Sequence, residues 1–283
     1  MIRVLKAGFY TTIQDRGRAG FAAIGVPVSG VMDTYSADLT NNLLNNNLDD
    51  AVLEITLGGC KLEFLEKIII CISGGDFTAK INDKLVVLNS RIEVDKNDVL
   101  SFGKVNFGFR TYLAVKGGFL TECILGSRSF YPNVTKDFLI RKGDVLDVFQ
   151  FNDVLNTSNT SIKMNKNHFN SKEITCFKGP EFELLNKNQQ DQIFDQFYTI
   201  SSDNNRMGYR LQENLNNDLA QILTSSVLPG TVQLTPSGKI IVLMRDCQVT
   251  GGYPRVLQLT EKAINQLSQK TTNDKFQFVL KGF

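Results

Sequence analysis

Short apolar segments separated by turn residues fill the chain from Ala51 to about Gln150. The turns between them carry pairs such as Gly58-Gly59, Asn82-Asp83 and Gly143-Asp144. Strands this short and evenly punctuated favour an antiparallel sandwich or barrel over a Rossmann fold. The predicted strands are residues 52–56, 60–64, 68–72, 78–81, 85–88, 91–94, 99–102, 111–115 and 145–149.

Helical spacing is confined to three short segments, so the predicted fold is mainly β with a few helices. In the first segment Tyr35, Leu39 and Leu43 recur about one helix turn apart, behind Asp33, which is a suitable N-cap. The segments are residues 34–44, a helical region with pieces at 181–185 and 189–197, and residues 261–268.

The chain is long enough for one large domain or two ordinary ones. It has 283 residues, of which 42% are hydrophobic, enough for a sizeable core. A stretch rich in Asn, Ser, Thr and Lys before His168 is typical of a linker or exposed loop. We therefore predict an N-terminal β-rich subdomain at 1–150, a polar linker or loop at 151–172, and a C-terminal β-rich subdomain with helices at 173–283.

Charge and hydropathy favour a protein that binds small molecules or other proteins. The 31 basic and 29 acidic residues leave a formal charge of +2, too small a field to recruit nucleic acid or an anionic membrane. The sequence has no apolar run long enough to span a bilayer, and its first residues are too polar for a signal peptide. By elimination we expect a cytoplasmic protein.

The sequence gives little support for catalysis, metal binding or disulfide bonds that depend on histidine or cysteine. His168 is the one histidine of the sequence, and the five cysteines form no Cys-x-x-Cys pair. A histidine triad, a multi-histidine metal site and a disulfide framework are therefore not indicated, and proton transfer falls to carboxylates, Lys, Tyr or water. Cys247 lies in a polar loop, where a structural thiol is favoured over a reactive one because no histidine is near it in sequence.

The stretch 231–254 contains the densest group of candidate site residues. An alternating strand, a Pro-Ser-Gly turn and an apolar strand lead into a polar loop that ends at Pro254. A loop fixed by strands can present hydrogen-bonding groups to a ligand, although the same pattern is compatible with an ordinary connecting turn. The loop contributes Asp246, Gln248, Thr250, Gly251, Gly252 and Tyr253.

Earlier loops add further polar candidates, each with a structural alternative. Arg18 lies between glycines and can meet an anion, or can join Asp15 in a network within the loop. Asp33 can cap the first helix or, with Ser29, form a polar site at its start. Arg128 lies between two serines and suits an anion, or is a solvated loop residue.

A turn followed by a strand brings Arg206, Tyr209 and Arg210 close together in sequence. If the strand has no bulge, its alternation puts the two arginines on one face and Tyr209 on the other.

Several of these stretches together resemble the biotin-dependent carboxyltransferase family, which includes the C subunit of 5-oxoprolinase and a segment of urea carboxylase. The stretches occur in family order: Thr11–Arg18, Gly25–Asp33, Leu53–Thr56, Tyr112–Gly118, Leu125–Ser129, Arg206–Leu211 and Asp246–Pro254. Val31 and Cys247 depart from the family pattern without removing a proposed polar group. The resemblance implies a cyclophilin-like β-barrel architecture.

The resemblance also implies a function in a complex. It indicates the C subunit of an ATP-dependent 5-oxoprolinase that, with the B subunit, activates the lactam of 5-oxoproline. Hydrolysis to L-glutamate is then left to the A subunit. ATP and Mg²⁺ are expected in the complex, without covalently attached biotin, because the chain has no Met-Lys-Met biotinylation site.

Site roles follow from that expectation. The catalytic candidates are Asp33, Asp246, Gln248 and Tyr253, and the substrate- or phosphate-binding candidates are Ser29, Arg18, Arg128, Arg206, Arg210, Thr250, Gly251 and Gly252.

Two alternatives stay open at this point. The chain can be the carboxyltransferase component of a urea carboxylase or allophanate-type system, with biotin carried on a separate protein. It can also be a non-catalytic regulator that binds a kinase-inhibitor partner. Substrate-dependent turnover with the partner subunits would separate the oxoprolinase interpretation from the regulatory one.

Overall fold

The computed structural model describes residues 1–149, 162–163 and 165–282, which divide into two compact units. The sandwich unit comprises Met1–Arg18 and Asp33–Lys166, and the barrel unit comprises Ala19–Met32 and Asn167–Phe283. The predicted N-terminal subdomain, by contrast, included residues 19–32. Most of the predicted linker at 151–172 lies outside the described residues, and its described end carries a short helix at Asn167–Asn170.

Two antiparallel sheets and one helix form the sandwich unit. The first sheet has the order β11-β1-β4-β9-β6-β7 and the second has the order β2-β3-β10-β5-β8. The elements are β1 (Ile2–Ala7), β2 (Tyr10–Gln14), α1 (Thr34–Leu44), β3 (Val52–Thr56), β4 (Cys60–Phe64), β5 (Ile68–Asp76), β6 (Lys80–Ile81), β7 (Lys84–Leu85), β8 (Arg91–Val94), β9 (Val99–Ser101), β10 (Phe107–Val115) and β11 (Val145–Leu146).

Strand alternation gives the second sheet one apolar and one polar row, both buried. Because neighbouring residues of a strand point to opposite faces, the pairing register aligns each row across four strands. The apolar row joins the core shared with the first sheet and consists of Ile13, Leu53, Leu113 and Ile72. The polar row consists of Thr12, Glu54, Tyr112 and Ser73, each no more than 1% exposed.

Helix α1 packs on β5 and β10 and begins at the predicted N-cap. The Asp33 side chain accepts a hydrogen bond from the Ser36 backbone N–H at 3.2 Å, which confirms the capping prediction. Of the apolar residues at helical spacing, Leu43 is buried but Tyr35 is 44% exposed, while Ser36 and Thr40 are fully buried. Both buried side chains donate hydrogen bonds within the helix region, which makes their burial tolerable.

A closed barrel of seven strands forms the other unit, in the order β12-β19-β16-β17-β14-β13-β20. Its elements are α2 (Asn167–Asn170), β12 (Glu173–Lys178), α3 (Lys187–Asp195), β13 (Tyr198–Asn204), β14 (Gly208–Asn214), β15 (Ser225–Ser226), β16 (Thr231–Leu234), β17 (Lys239–Leu243), β18 (Thr250–Gly251), β19 (Arg255–Leu259), α4 (Glu261–Ser268) and β20 (Lys275–Leu280). Short 3₁₀ turns lie at Ala22–Ile24 and Phe182–Leu184.

The barrel closes where β12 pairs in parallel with β20, whereas its other ladders are antiparallel. Alternate residues point inward and fill the interior, as Val232 and Leu234 do from β16 and Val242 does from β17. The residue between the first two, Gln233, therefore belongs to the outer face, opposite Ile241. That outer face carries the cavity described below.

The mainly β fold with few helices and a barrel is confirmed, and each predicted strand overlaps an observed one. The predicted helix at 261–268 has the observed bounds. The predicted piece at 181–185 contains the 3₁₀ turn at Phe182–Leu184, and the piece at 189–197 overlaps α3. Within the described residues, none of the helices is both long and apolar enough to cross a membrane.

Candidate functional site

The polar loop between β17 and β19 is held in place by backbone hydrogen bonds. The Asp246 N–H donates to the Arg206 carbonyl at 2.9 Å, and the Val227 N–H donates to the Val249 carbonyl at 3.1 Å. A small ribbon of β15 and β18 continues this attachment. The loop is therefore a fixed platform, which a ligand site needs if its groups are to be pre-positioned.

A buried ion pair lies at the start of this loop. The Arg206 Nε and Nη2 atoms donate to Asp246 Oδ2 and Oδ1 at 2.8 and 2.9 Å, and the two residues are 6% and 5% exposed. The Ser29 hydroxyl donates to Asp246 Oδ1 at 2.5 Å, and Arg206 also donates to the Gly30 carbonyl at 2.5 Å. The early Ser-Gly turn and the late loop thus converge within the barrel unit.

Ser29, Arg206 and Asp246 are buried, each no more than 6% exposed, and none of them belongs to the lining of the cavity described below. Asp246 accepts three hydrogen bonds, so most of its capacity as an acceptor is used in holding Arg206 and Ser29. Ser29 has a left-handed backbone with φ of 59°, a conformation that costs free energy in a residue other than glycine. The geometry suits a role in fixing the turn to the loop. We call Ser29, Arg206 and Asp246 together the buried fixture.

A cavity of about 200 Å³ opens on the outer face of the barrel, beside this loop. The predicted site residues Gln248 and Tyr253 line it from the loop, and Arg210 lines it from β14. The full lining comprises Asn205, Met207, Gly208, Arg210, Gln233, Ile241, Leu243, Gln248 and Tyr253. Apolar walls with a few convergent polar groups are the usual composition of a small-molecule site.

Arg206 and Arg210 do not share a strand face, because the strand without a bulge on which that prediction depended is not present. Strand β14 begins at Gly208, so Arg206 precedes it, and the register between β13 and β14 shifts before Asn204. Arg206 is buried, whereas the Arg210 side chain is 45% exposed and pairs with Asp203 at 3.0 Å. Of these two arginines, Arg210 is the one that can turn toward an anion in the cavity, because an exposed ion pair is weak.

Sequence reasoning missed Gln233, the most buried polar residue of the cavity lining. It is 1% exposed, and its Nε2 has no hydrogen-bond partner among the described residues. Alternation along β16 marked this position as an outward polar residue, and nothing local indicated that the loop would cover it. The available sequence signal was a glutamine among the outward-facing apolar residues Ile241 and Leu243.

Gly251 borders the same side of the cavity. A Cβ atom built at this position would lie 2.5 Å from Gln233 Nε2 and 3.5 Å from Gln248 Nε2, so any side chain here would force the Gln233 carboxamide to move. The reason for a glycine here is space beside that carboxamide, since its φ is not in the left-handed region. Gly251 and the two carboxamides therefore form one corner of the site.

The other predicted loop residues have peripheral positions. Thr250 is exposed on β18, and the Gly252 carbonyl accepts a hydrogen bond from the Ile222 N–H at 3.0 Å. Burial raises the pKa of Cys247 to about 12, so the thiolate that a nucleophile requires is scarce at neutral pH. This agrees with the structural thiol favoured from the sequence.

In the sandwich unit, the Asp15 side chain accepts hydrogen bonds from the loop that contains Arg128. Its carboxylate accepts from the Ser127 and Ser129 hydroxyls, both at 2.6 Å, and from the backbone N–H groups of Gly17 and Arg128 at 2.8 and 2.5 Å. A carboxylate bound by several neutral donors is well stabilised without a cation. We call these residues the Asp15 loop cluster.

Both predicted anion-binding arginines of this unit donate to backbone carbonyls in the same region. Arg18 is 1% exposed and donates to the Ser129 carbonyl, and Arg128 donates to the Thr121 carbonyl. Arg16 pairs with Asp38 at 2.6 Å. Asp15 is thus bound by serine hydroxyls and backbone N–H groups, which differs from the network of Asp15 with arginine that the sequence offered as the alternative to an anion site.

Asp33 contacts the buried polar row of the sandwich unit through Tyr112. Its side chain accepts from the Ser36 hydroxyl at 2.6 Å, and its N–H donates to the Tyr112 hydroxyl, which in turn donates to Glu54 at 2.9 Å. Burial and the neighbouring Glu54 and Asp33 carboxylates raise the pKa of Tyr112 well above its ordinary value. Tyr112 therefore stays a neutral hydrogen-bond donor over the physiological pH range.

The predicted residues thus fall into separate groups. Gln248, Tyr253, Arg210 and Gly251 meet at the cavity, and Ser29, Arg206 and Asp246 meet in the buried fixture. Arg18 and Arg128 lie in the region of the Asp15 loop cluster, and Asp33 caps α1. Among the residues that the structure describes, no group of three or more His, Cys, Asp or Glu residues is placed to hold a metal ion.

Comparison with known families places this fold. Residues 24–280 match the family model described as "Carboxyltransferase domain, subdomain A and B". Because the match covers most of the chain, the chain belongs to this carboxyltransferase domain family.

Two curated proteins match this chain over different lengths. The chain is 32% identical to the C subunit of 5-oxoprolinase from Escherichia coli (strain K12), over 99% of this chain and 91% of that one. A shorter stretch, 45% of this chain, is 44% identical to urea amidolyase of Lachancea kluyveri and corresponds to 7% of that protein.

A solved structure shows the same fold. The K. lactis urea amidolyase structure aligns with a TM-score of 0.87 and 29% sequence identity, covering 99% of this chain. The chain spans only 19% of that larger protein.

Proposed function

We propose that the chain is the C subunit of an ATP-dependent 5-oxoprolinase, acting in the cytoplasm. In this proposal it works with the B subunit to activate the lactam of 5-oxoproline, and the A subunit hydrolyses the activated ring to L-glutamate. The observation that carries the proposal is the match to the C subunit of a 5-oxoprolinase over 91% of that relative. A relative matched over almost all of its length is a better guide to activity than one matched over a small part.

The outer cavity of the barrel supports this proposal physically. Its volume of about 200 Å³ suits a small ring such as 5-oxoproline, with Tyr253 and Gln248 as hydrogen-bonding groups. Arg210, which lies at the same cavity and is only weakly paired with Asp203, is suited to the substrate carboxylate. We assign substrate binding to these three residues and assign Ser29, Arg206 and Asp246 to holding the loop.

ATP and Mg²⁺ are part of the proposal for the assembled complex. An amide carbonyl is a poor electrophile, and ATP would supply the phosphoryl group that makes its oxygen a leaving group. Magnesium bound to nucleotide is held largely by phosphates and water with one or two carboxylates, so it needs no dedicated cluster in this chain.

Reconstitution with the A and B subunits tests the proposal. We expect 5-oxoproline-dependent release of ADP and L-glutamate only when all three chains are present. Tyr253→Phe should lower kcat/KM for 5-oxoproline about tenfold or more, because it removes a group that contacts the substrate. Tyr35→Phe, an exposed tyrosine of the sandwich unit, is the matched control. Absence of turnover in the complete mixture would disprove the proposal.

A carboxyltransferase role is the second candidate, because the 44% identity to a urea amidolyase exceeds the 32% identity to the oxoprolinase relative, although over a shorter stretch. In this role a biotin carrier on another protein would deliver the carboxyl group. Incubation with a carboxylated biotin carrier and urea separates the two candidates. Loss of the carboxyl group from the carrier that depends on urea would favour this candidate, and turnover of 5-oxoproline would exclude it as the main activity.

A further inference from the structure

Two buried side-chain nitrogens of the described barrel residues lack a hydrogen-bond partner, Arg245 Nε and Gln233 Nε2, and of these two only Gln233 lines the cavity. Its Nε2 is shielded from solvent and has no partner among the described residues. An unsatisfied buried donor is unfavourable, and such groups are rare in folded proteins. Because Gln233 also lines the cavity, a ligand is the missing partner that its position suggests.

Gln258, on the adjacent strand β19, shows what a structural glutamine looks like in the same barrel. Its Nε2 donates to the Pro229 carbonyl at 2.9 Å, and its Oε1 accepts from the Thr231 hydroxyl at 2.8 Å. Both ends of that carboxamide are used in holding neighbouring chain segments. Gln258 is absent from the cavity lining and serves as a matched reference for Gln233.

The space beside Gly251 brings a second carboxamide to the same corner. Gln233 Nε2 and Gln248 Nε2 lie 2.5 and 3.5 Å from the position that a Cβ of Gly251 would occupy. The missing side chain therefore leaves room next to both amide groups. The terminal torsion of a glutamine is broad, so a ligand in the cavity can draw these amides toward it at little cost.

We propose that Gln233 selects the ligand of this cavity by pairing with a cis-amide edge, in which an N–H and a C=O lie side by side. A carboxamide offers one donor and one acceptor on one edge and so complements such an edge with two hydrogen bonds. A carboxylate lacks the donor and a simple ring amine lacks the acceptor, so each leaves one end of Gln233 unsatisfied. Gln248 supports the ligand from the other side of Gly251.

Three candidate ligands have such a cis-amide edge: the lactam ring of 5-oxoproline, the ureido ring of biotin, and urea. The choice of 5-oxoproline rests on the proposed function, whereas the role of Gln233 does not. We expect the lactam to bind best, because the nearby Arg210 can also meet its carboxylate. Binding to the isolated full chain can therefore be measured separately from turnover in the complex.

Ligand-detected NMR titration of the full chain with 2-pyrrolidone, 5-oxoproline, L-proline, urea and biotin provides the test. We expect 5-oxoproline and 2-pyrrolidone to bind and L-proline to bind at least about tenfold more weakly. Preference for biotin or urea would uphold the role of Gln233 while contradicting 5-oxoproline as substrate. Failure of every cis-amide probe to bind the wild-type chain would overturn the inference, and the three-chain assay would still decide the proposed function.

Two matched substitutions distinguish ligand recognition from a structural role. Gln233→Met should weaken 2-pyrrolidone binding about tenfold or more and leave Tm equal or higher, because it removes an unpaired donor. Gln258→Met should lower Tm and leave binding unchanged, because its amide is bound within the barrel. Unchanged binding in Gln233→Met, or a fall in Tm like that of Gln258→Met, would show that Gln233 is not the recognition residue.

Discussion

Asp15 in the sandwich unit and Asp246 in the barrel unit are both buried loop aspartates, but their donors differ in charge. Asp15 accepts from two serine hydroxyls and two backbone N–H groups. Asp246 accepts two hydrogen bonds from the Arg206 guanidinium and one from Ser29. Asp15 is 8% exposed and Asp246 is 5% exposed, so solvent screening is slight for both.

The difference lies in what remains when the carboxylate is removed. Removing the Asp15 carboxylate leaves neutral donors that lose hydrogen bonds. The serine hydroxyls among them can turn toward water or other acceptors. The guanidinium left behind by Asp246 is an uncompensated buried charge, whose desolvation is far more costly. Two loop aspartates that look alike in sequence should therefore contribute unequally to stability, and the following variants test this comparison.

The largest effect is expected for Asp246→Ala. Its free energy of unfolding should fall by about 3–5 kcal/mol, because buried Arg206 loses its partner. Urea unfolding followed by circular dichroism measures the change. The control is Asp203→Ala, which breaks the exposed pair with Arg210 and should cost less than about 1 kcal/mol. Equal losses in the two variants would contradict the assigned role of burial.

A double variant sharpens that result. Arg206→Leu combined with Asp246→Leu removes both charges, so it should recover much of the stability lost in Asp246→Ala. If the double variant is as unstable as the single one, the lost packing of the turn at Ser29 and Gly30 outweighs the unpaired charge.

A smaller effect is expected for Asp15→Ala, about 1–3 kcal/mol, because its orphaned donors are neutral. Asp15→Asn keeps one acceptor oxygen and should lose less than Asp15→Ala in the same urea titration. A loss for Asp15→Ala as large as that for Asp246→Ala would remove the distinction between the two clusters.

The smallest effect concerns a partly exposed carboxylate of the barrel, Glu181. Hydrogen bonds from Arg255 hold the pKa of Glu181 below its ordinary value of 4.5. Since the folded pKa is the lower one, this stabilisation is present above the unfolded pKa and is lost as pH falls through the folded pKa. The pair has 14% and 19% side-chain exposure, so we expect less than about 1 kcal/mol.

Unfolding of wild type and Glu181→Gln between about pH 6 and about pH 3 checks this sign. Stability of the wild type relative to the variant should decline toward the acid end. A difference that stays constant across the range would show that the Arg255 interaction does not depend on ionisation of Glu181.

Much of the strand pattern could be predicted because it is a local property. Alternation and turn residues mark both ends of a strand within a few positions, as at 52–56 and 91–94, which have the observed bounds. Strands β6, β7 and β11 proved shorter than predicted, because pairing with a neighbour decides where a strand ends. That information is not local.

The spacing of apolar residues predicted helix α1 but not which of its polar residues are buried. Tyr35, Leu39 and Leu43 recur at helical spacing, whereas Ser36 and Thr40 are the residues buried without exposure. Their hydroxyl groups have acceptors on Asp33 and Ala37, so burial costs them little. A periodicity argument counts apolar residues and cannot see such partners.

For the candidate site, sequence reasoning found the loop residues Gln248 and Tyr253 but not Gln233. Loop residues stand out by composition, since they follow an apolar strand. Gln233 stands within an alternating strand and becomes special only because the loop from 245 to 254 covers its outward side. A contact between segments distant along the chain has no local signature, so only the structure reveals it.

Residues 19–32 belong to the barrel unit, while the stretches on both sides of them belong to the sandwich unit. A gene cut once near residue 166 would therefore yield a C-terminal fragment without Ser29 and Gly30, the partners of Asp246 and Arg206. Separate expression of the barrel requires grafting this short segment onto the fragment. The barrel unit is thus encoded by two separate pieces of the gene. Recombination between relatives must exchange both pieces to transfer one intact barrel.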